Sequence, residues 1–476
     1  MLSLPYFTID ERDMLQEKVF DLLEQKGAKL DHLEILKILD EAGAHVDFDT
    51  KQVKFPKTLL EQALKLVPKY FKLSGAEPQF DLEIPAVDGN FLVRTGTGAP
   101  NIVDVDNNYR RVKISDLIEW ARLVDTLNEI NFCAFPFPID VPGQTADIHA
   151  LHTMLQNTKK HIWVQPYSSD SIKYLLEISE VAAGGKEALK ERGQVSFITC
   201  ALTPLEFKYM DLEIILQACR RGVPIHACSL PGAGGTAPFT MPSVVLLSAA
   251  EILVMLSVAQ IVQPKSPAIA TPLIFSLDMA TGRTLQSSVE AMLGAASAVW
   301  FLKSAFSVPT HTYGSGSDSP AVDGQSMSER SILGLMIALA GADILGGAGQ
   351  LEVATTISPI QLMIDNELFG MIKKIVKGLT VNNDSMAWDD LLDVKFGGHF
   401  LETMHTLKHC RDAFKNTLYT RLSRDAWMKQ GYKDLLARAK EAYINFKSIE
   451  RTEHLPEDIL KGLNEIVEAA DRELVK

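Results

Sequence analysis

The stretch from Val195 to Gly235, VSFITCALTPLEFKYMDLEIILQACRRGVPIHACSLPGAGG, carries the repeating unit of this fold. An apolar run of β type over 195–204 is followed by a helical pattern over 211–221 and by a second apolar run over 224–235. Each apolar run ends in small or polar residues. A strand, a helix and a strand at this spacing are typical of parallel sheets whose strands are joined by helices.

The same alternation recurs on both sides of this unit. Strands are predicted at 91–98, 131–137, 161–168, 195–204, 224–235, 268–278, 309–316 and 342–349. Helices are predicted at 114–127, 145–158, 170–183, 211–221, 243–262, 285–303, 328–341 and 358–377. Eight such units predict an α/β fold, the (β/α)8 TIM barrel. An open doubly wound sheet is the alternative, but no G-x-G-x-x-G follows the first strand.

Helical patterns also flank the barrel. The segment TIDERDMLQEKVFDLLEQKG begins with an N-cap residue, Thr8, has Glu11 three residues later and ends at Gly27. The C-terminal segment LPEDILKGLNEIVEAADREL is amphipathic. We therefore predict an N-terminal helical extension over 1–85, a barrel over 86–385 and a C-terminal helical extension over 386–476.

Composition indicates a folded soluble protein of 476 residues, with 46% apolar and 22% charged residues. A net charge of −13 argues against nucleic acid as a partner. The run 243–262 is apolar and long enough to cross a bilayer, but Glu251 lies in its middle, so we expect a buried barrel helix and no membrane. The five cysteines form no C-x-x-C and no export signal is evident, which favours a cytoplasmic location. Apolar helices on a large barrel favour a homo-oligomer.

The carboxyl ends of barrel strands, and the loops after them, build the active sites of TIM barrels. Aromatic side chains are concentrated at these ends: Phe135, Phe137, Trp163, Tyr167, Phe275 and Tyr313. Aromatic faces attract alkylated ammonium groups through cation–π interactions. The same residues also suit the packed interior of a barrel, and the sequence leaves both interpretations open.

Charged and polar candidates occur at the same strand ends. His226 is a candidate general base, a hydrogen-bond donor to a carboxylate or a core histidine. Arg94 or Arg283 could clamp a substrate carboxylate. Asp278 and Glu352 could face a cation or pair with one of these arginines.

A histidine group follows the barrel. His405 and His409 are spaced i, i+4 and share a helix face, as zinc ligands can, and His399 precedes them. No H-E-x-x-H is present. We expect helix packing or a partner contact here and no bound metal.

Five blocks carry a family resemblance: SLPGAGGTAPFT (229–240), SLDMATG (276–282), GSGSDSPAVDGQ (314–325), GADILGGAGQLE (341–352) and GGHFLETMHTLKHCR (397–411). In this order they resemble the trimethylamine methyltransferase (MttB-like) family. The resemblance implies a TIM barrel that moves a methyl group from an amine to the cobalt of a partner corrinoid protein. The archaeal trimethylamine enzymes carry pyrrolysine in the loop after the seventh strand, where this chain has only standard residues. It therefore resembles the non-pyrrolysine branch, which typically demethylates glycine betaine, proline betaine, carnitine or γ-butyrobetaine.

This chemistry would need no conventional catalytic residues, because a quaternary ammonium leaves as a neutral amine and the protein has only to position it. The expected substrate-binding residues are Phe135, Phe137, Trp163, Tyr167, His226, Phe275, Tyr313, Arg94, Arg283 and Glu352. The loops expected to face the corrinoid contain Gly234, Gly235, Gly316, Ser317 and Asp318. The chain lacks a D-x-H-x-x-G motif, so the corrinoid would be supplied by the partner and no cofactor would be tightly bound. A non-catalytic betaine-binding protein remains the alternative, whereas no strand end offers a lysine for Schiff-base chemistry.

Overall fold

The computed structural model describes residues 2–87, 90–449 and 455–475. It contains every predicted barrel strand: β1 (Leu92–Thr95), β2 (Cys133–Ala134), β3 (Ile162–Val164), β4 (Val195–Cys200), β5 (Ile225–Ser229), β6 (Ala268–Pro272), β7 (His311–Tyr313) and β8 (Ile344–Ala348). Parallel ladders join β2 through β6 and join β7, β8 and β1. Single bridges, Ala270 to Thr310 and Arg94 to Phe132, close the two remaining gaps. The sheet is therefore closed, which confirms the (β/α)8 TIM barrel and excludes the open sheet.

A helix follows each strand on the outside of the barrel. These helices are Ile114–Thr126, Ala146–Asn157, Ser171–Ala183, Tyr209–Arg220, Met241–Val262, Val289–Phe306, Gly324–Leu339 and Pro359–Lys377, with a short extra helix at Lys186–Arg192. Every predicted helix is present, within a few residues of its predicted bounds.

The most apolar barrel helix, Met241–Val262, is covered on its outer side by the N-terminal helices Ile9–Gln25, Leu33–Glu41 and Lys57–Leu66. Among the described residues, this helix and Val289–Phe306 are long and apolar enough to cross a membrane, but 89% and 56% of their apolar windows are buried within the fold. Burial on both sides explains why Met241–Val262 carries apolar residues around its whole circumference.

Glu251 is buried in the middle of that helix and has a structural role. Its carboxylate accepts hydrogen bonds from the Thr203 hydroxyl at 2.9 Å, the Leu205 amide at 2.9 Å and the Ser229 hydroxyl at 2.6 Å. A buried carboxylate is tolerated when such donors satisfy it. Glu251 thus fastens the loop after β4 and the end of β5 to the helix.

The N-terminal extension is less purely helical than predicted. The capping box at Thr8 and Glu11 is present, but short strands at Ala28–Leu30, His45–Asp47 and Gln52–Lys54 form a sheet with Glu206–Phe207. A second hairpin, Phe71–Leu73 with Leu82–Ile84, inserts Leu73 and Ile84 among the residues that begin the barrel strands. Three-residue strands are too short for hydrophobic periodicity to reveal. This hairpin closes the N-terminal end of the barrel, here called the floor.

Short strands cover the opposite end, here called the mouth. They are Asn101–Val103, Tyr109–Arg111, Gly232–Ala233, Phe275–Leu277, Thr284–Leu285, Gln350–Leu351 and Thr356–Ile357. Helices beyond the barrel are Asn383–Met386, Trp388–Asp393, Met404–His409, Arg424–Lys429, Leu435–Lys447 and Glu457–Leu474, and 3-10 turns occur at Pro78–Phe80, Gly143–Thr145 and Cys410–Asp412. Residues 1, 88–89, 450–454 and 476 of the predicted domains lie outside the described residues.

Candidate functional site

Inward-facing side chains of the barrel strands form a second buried cluster, separate from the main core between strands and helices. Its members include Leu92, Phe132, Ala134, Trp163, Ile198, Cys228, Ile269, Tyr313 and Ile344, with Phe275 packed against them. Alternation along each strand explains which residues belong to this cluster, because every second side chain of a strand points into the barrel. The polar residues at inward positions therefore lie together inside this apolar lining.

Arg94, near the carboxyl end of β1, is fully buried in this interior. Its Nη1 donates to the Thr95 carbonyl at 2.8 Å and its Nε donates to Nε2 of His311 at 3.2 Å, while Nη2 has no hydrogen-bond partner. Among the described residues, no carboxylate lies within 4.0 Å of the guanidinium. Burial lowers the pKa of Arg94 to about 10, so the group remains charged at neutral pH. The barrel thus encloses a positive charge without a protein counter-ion.

Two of the aromatic residues predicted to bind the substrate, Trp163 and Tyr313, contact this guanidinium. The Arg94 guanidinium carbon lies 4.3 Å from the Trp163 ring centroid and 5.9 Å from that of Tyr313. Burial raises the pKa of the Tyr313 phenol to about 12, so the ring is neutral. One face of Trp163 is consequently occupied by a protein cation, which differs from the predicted role of that ring as a free ammonium-binding surface.

A chain of three side chains fixes the tautomer of His226. Nδ1 of His161 is 2.8 Å from the Ser74 carbonyl, which can only accept, so Nδ1 carries the proton. Burial lowers the pKa of His161 to about 4, leaving its Nε2 as an acceptor for the Ser196 hydroxyl at 2.9 Å. The Ser196 oxygen then accepts from Nε2 of His226 at 3.0 Å. His226 is therefore protonated on Nε2 and presents a bare Nδ1.

The same reasoning applies to His311. Its Nε2 accepts from Arg94, and burial lowers the pKa of His311 well below the usual value, so the proton resides on Nδ1. Neither Nδ1 of His226 nor Nδ1 of His311 has a hydrogen-bond partner, and the two rings are 5.2 Å apart. Unpaired buried polar atoms call for a ligand or water. Arg94 and His311 offer donors, as an anion requires, and His226 offers one acceptor.

The remaining predicted aromatics lie nearer the mouth. Phe137 and Tyr167 are stacked with centroids 4.5 Å apart and are both half-buried, and the Tyr167 hydroxyl is unpaired. Phe135 meets the edge of Tyr167 but is buried in the main core, outside the interior cluster. Phe275 is half-buried against the interior cluster. Of the predicted substrate residues, Arg94, Trp163, His226, Tyr313 and Phe275 are brought together, whereas Tyr167 packs against the main core and Phe137 stacks on it.

Two predicted substrate residues, Arg283 and Glu352, and the candidate Asp278 lie away from this group. Arg283 is exposed and donates to the Asp318 carbonyl at 3.2 Å. The Glu352 carboxylate accepts from the Thr356 hydroxyl at 2.6 Å within its own turn. Asp278 caps its own loop through Ala280 and Thr281. Spacing places all three near strand ends, but the loops that follow β6 and β8 turn their side chains away from the interior.

The loop after β7, which is predicted to face the corrinoid, is largely buried within this chain. Gly316 and Ser317 are buried, and a Cβ added to Gly316 would lie 2.4 Å from Nε2 of Gln286. Asp318 accepts hydrogen bonds from the Gln286 and Ser287 amides at 2.8 and 3.1 Å. The small residue at 316 therefore makes room for a protein side chain. Gly235 is exposed at the mouth and Gly234 is half-buried beside it.

A buried ion pair holds the loops after β7 and β8 together. Arg330 and Asp365 are both fully buried and 2.8 Å apart. Arg330 also donates to the Ser315 hydroxyl at 2.7 Å and the Gln350 carbonyl at 2.9 Å, and Asp365 accepts from the Gly349 amide at 2.8 Å. Sequence reasoning missed this pair, because both residues lie on outer helices far apart in the chain.

Other site residues could have been found from the strand pattern. His161, Ser196 and His311 are polar residues in or beside otherwise apolar strands, at alternate positions that face the interior. The C-terminal histidines differ: the rings of His405 and His409 are 4.4 Å apart, and His409 pairs with Asp412 at 2.8 Å. In the part of the chain that the structure describes, no three metal-ligating side chains converge.

The fold and site define a TIM barrel with a buried, cationic interior under apolar loops, and the comparisons place it in a family. The trimethylamine methyltransferase (MTTB) family model matches residues 3–474, so the chain belongs to this family. It is 30% identical to the trimethylamine methyltransferase MttB of Desulfitobacterium hafniense strain DCB-2 over 99% of this chain and 95% of that protein. It is 28% identical to the glycine betaine methyltransferase of D. hafniense strain Y51 over 90% of both.

Solved structures agree on the fold. The monomethylamine methyltransferase MtmB of Methanosarcina barkeri superposes with a TM-score of 0.53 at 11% sequence identity, covering 99% of this chain and 88% of that one. This likeness concerns the fold alone. The family match and the curated relatives confirm the family resemblance and the prediction of an enzyme: the chain is a methyltransferase, and the binding-protein alternative is not supported.

Proposed function

We propose that this methyltransferase demethylates a quaternary amine that carries a carboxylate, such as a betaine, and transfers the methyl group to the cobalt of a partner corrinoid protein. The observation that carries the substrate class is Arg94, a fully buried guanidinium with a free Nη2 and no carboxylate partner among the described residues. A buried unpaired charge is costly, and an anionic ligand group offsets that cost.

The donors beside Arg94 suit a carboxylate. Nδ1–H of His311 is unpaired on the ring whose Nε2 accepts from Arg94, and Nε1 of Trp163 is a third unpaired donor in the same interior. A carboxylate accepts up to four hydrogen bonds, and charge-assisted bonds to arginine are the strongest of these. The carboxylate end of the substrate is therefore assigned to the deep position.

The ammonium end then points toward the mouth. Phe275, Tyr167 and Phe137 are half-buried there and offer aromatic surface to methylated nitrogen. Soft aromatic contacts suit this step, because the positive charge on nitrogen disappears as the C–N bond breaks and a tight carboxylate contact would oppose that change. The nitrogen keeps the bonding electron pair and leaves as a neutral tertiary amine, so no proton has to be supplied.

Trimethylamine fits this interior less well. Protonated trimethylamine would bring a second cation toward Arg94 without an anion to compensate, and neutral trimethylamine would leave the Arg94 donor unpaired. Relatives of the chain include proteins named for trimethylamine and one named for glycine betaine at similar identity. The choice between trimethylamine and a betaine as the substrate is therefore argued from the residues of the barrel interior, because the names of the relatives do not decide it.

The mouth has a surface on which a corrinoid protein could dock. Leu202, Phe239 and Met279, on the loops after β4, β5 and β6, are apolar and at least half exposed. Gly234 lies between Phe239 and Met279, where a Cβ would come within 3.0 Å of both side chains. The docked corrinoid supplies a reduced cobalt nucleophile, and the chain's own residues hold one N–CH3 bond in line with it and exclude water. The five cysteines are free, consistent with a cytoplasmic enzyme.

The proposal is tested by methyl transfer. The purified protein is mixed with a reduced corrinoid protein and a panel of amines, and the cobalt spectrum is followed. We expect methylation of the corrinoid with one carboxylated quaternary amine and not with trimethylamine or tetramethylammonium. Methylation with trimethylamine alone would contradict the proposal.

A further inference from the structure

Three buried side chains on neighbouring strands form a hydrogen-bonded chain, here called the histidine relay. It consists of His161, just before β3, Ser196 on β4 and His226 on β5. The Ser196 oxygen lies 2.9 Å from Nε2 of His161 and 3.0 Å from Nε2 of His226. The relay begins at the floor, where Nδ1 of His161 donates to the Ser74 carbonyl at 2.8 Å. It ends at Nδ1 of His226, which has no hydrogen-bond partner among the described residues.

The hydrogen bonds of the relay can run in only one direction. The Ser74 carbonyl can only accept, so His161 carries its proton on Nδ1 and accepts through Nε2. Ser196 has a single hydroxyl hydrogen, which it donates to His161, and its oxygen then accepts from Nε2 of His226. Nδ1 of His226 is therefore held unprotonated by contacts that begin at the floor. Ser196 is a positioning residue, because it acts on the interior through His226.

Neither end of a plain betaine can satisfy the bare nitrogen of His226. A carboxylate has no proton to donate, and its lone pairs would meet that of Nδ1. A quaternary ammonium carries no N–H. A charged N–H group elsewhere on the substrate would bring a second cation toward Arg94. A buried acceptor that stays unpaired is costly, so this atom calls for a neutral O–H donor.

The position of His226 brings that donor close to the carboxylate of the substrate. The His226 ring lies 5.2 Å from that of His311, whose Nε2 accepts from Arg94, and 6.0 Å from that of Trp163. We infer that the relay makes His226 the specificity-determining acceptor for a hydroxyl group on the carbon chain between the carboxylate and the ammonium. The inference rests on the proposed function, because it needs the carboxylate at Arg94.

Two ligands that differ only in this hydroxyl test the inference by calorimetric titration of the full chain. Carnitine carries the hydroxyl, and γ-butyrobetaine lacks it. We expect the wild type to bind one enantiomer of carnitine about 10- to 100-fold more tightly, because γ-butyrobetaine leaves Nδ1 of His226 unpaired. In Ser196→Ala, His226 can carry its proton on either nitrogen, so the ratio should fall to about 3-fold or less.

A matched control uses a buried serine on an outer helix. The Ser179 hydroxyl donates to the Leu175 carbonyl at 2.7 Å within that helix, so Ser179→Ala should keep the wild-type ratio of affinities.

A second measurement reports the tautomer of His226 without any ligand. In protein with isotopically labelled histidine, nuclear magnetic resonance separates protonated from bare imidazole nitrogens, and the signals of His226 are identified by their absence in His226→Gln. We expect a bare Nδ1 and a protonated Nε2 in the wild type, and a mixture of tautomers in Ser196→Ala. A wild-type His226 protonated on Nδ1 would overturn the inference.

The titrations separate this inference from the proposed function. Equal affinity for carnitine and γ-butyrobetaine would mean that a fixed water satisfies His226, and it would overturn the inference while leaving the role of Arg94 unaffected. An unchanged ratio in Ser196→Ala would overturn the relay in the same way, as would affinity for glycine betaine without affinity for carnitine. No affinity for any carboxylated quaternary amine would overturn the proposed function, and the inference with it.

Discussion

The guanidinium of Arg94 lies against the indole of Trp163, 4.3 Å from its ring centroid, in the centre of the barrel. The contact pairs an aromatic ring, which the sequence offers as a site for a substrate cation, with a cation of the protein itself. Because Arg94 covers one face of Trp163, this part of the interior is not suited to bind a substrate cation. The unpaired atoms beside the ring are hydrogen-bond donors, which suit an anionic group. Under the proposed function, the ammonium group of the substrate lies nearer the mouth, where a corrinoid could reach its methyl group.

Replacement of Trp163 should weaken substrate binding, because its ring holds the Arg94 guanidinium. Replacement by Leu removes the face that holds the Arg94 guanidinium and one unpaired donor, and desolvated cation–π contacts contribute up to about 2 kcal/mol. We expect Trp163→Leu to weaken substrate binding roughly 10- to 30-fold. Trp163→Phe keeps a ring face and should lose less. Calorimetric titration measures both, and equal losses would show that the ring face has no role.

The buried histidines predict a specific dependence of stability on pH. Burial lowers the pKa of His161 to about 4 from 6.5. The unfolded chain therefore takes up this proton first as the pH falls, so stability is complete above about pH 6.5 and decreases toward pH 4. The contribution of this residue is on the order of 3 kcal/mol across that window.

Urea denaturation at several pH values measures this effect. His161→Gln should flatten the decline in the free energy of unfolding between pH 6.5 and 4, whereas His45→Gln, at an exposed position, should leave the decline unchanged. His226 and His311, whose pKa values burial also lowers, should keep part of the slope in the His161 variant. Identical slopes in the wild type and His161→Gln would contradict the assignment of a neutral, buried imidazole.

The ion pair of Arg330 and Asp365 should be costly to break from one side. Both groups are fully buried, so Arg330→Met leaves an uncompensated carboxylate and should reduce the free energy of unfolding by about 3–5 kcal/mol. The double variant R330M/D365L should recover much of that loss, because neither charge remains. Denaturation curves of the two variants make the comparison. A double variant no better than the single one would mean that the hydrogen bonds to Ser315, Gly349 and Gln350 dominate.

The buried amine of Lys160 should contribute more to stability than the half-exposed amine of Lys159. Its Nζ donates to the carbonyls of Val124, Leu127 and Ile130 at 2.5–2.8 Å, and burial lowers the pKa of this lysine to about 8. Lys160→Met would leave these acceptors unpaired and should cost about 1–3 kcal/mol of stability. The neighbouring Lys159 makes a half-exposed ion pair with Glu77, so Lys159→Met should cost less than about 1 kcal/mol. Thermal unfolding of both variants distinguishes these values, and equal losses would contradict the prediction.

The sequence predicts the barrel well because its signal is repeated and local. Each strand carries its own apolar run and each helix its own period, so eight independent patterns agree. The interior is harder to predict, since alternation tells which side of a strand a residue faces only when the register is known. Trp163 and His226 were identified because they are chemically distinctive, whereas Ser196, which links two histidines, has no such signal.

Loop residues were predicted least well, for a physical reason. Arg283 and Glu352 are near strand ends in sequence, but Arg283 is oriented by a hydrogen bond to the loop after β7 and Glu352 by a hydrogen bond within its own turn. The loop after β7 has a small, polar composition that is compatible with an exposed surface and equally with a buried wall. The Gln286 side chain, 30 residues earlier in the sequence, shows that this loop is a buried wall, because its amide packs against Gly316.

Arg94 is proposed to bind the carboxylate of a quaternary amine. Calorimetric titration of the wild type and of Arg94→Met with glycine betaine and with tetramethylammonium tests it most directly, since the second ligand carries no carboxylate. We expect the wild type to bind the betaine and Arg94→Met to lose on the order of 100-fold or more in affinity, with no comparable loss for tetramethylammonium. Wild-type binding of tetramethylammonium as tightly as any carboxylated amine, or an Arg94→Met variant with unchanged betaine affinity, would contradict this role of Arg94.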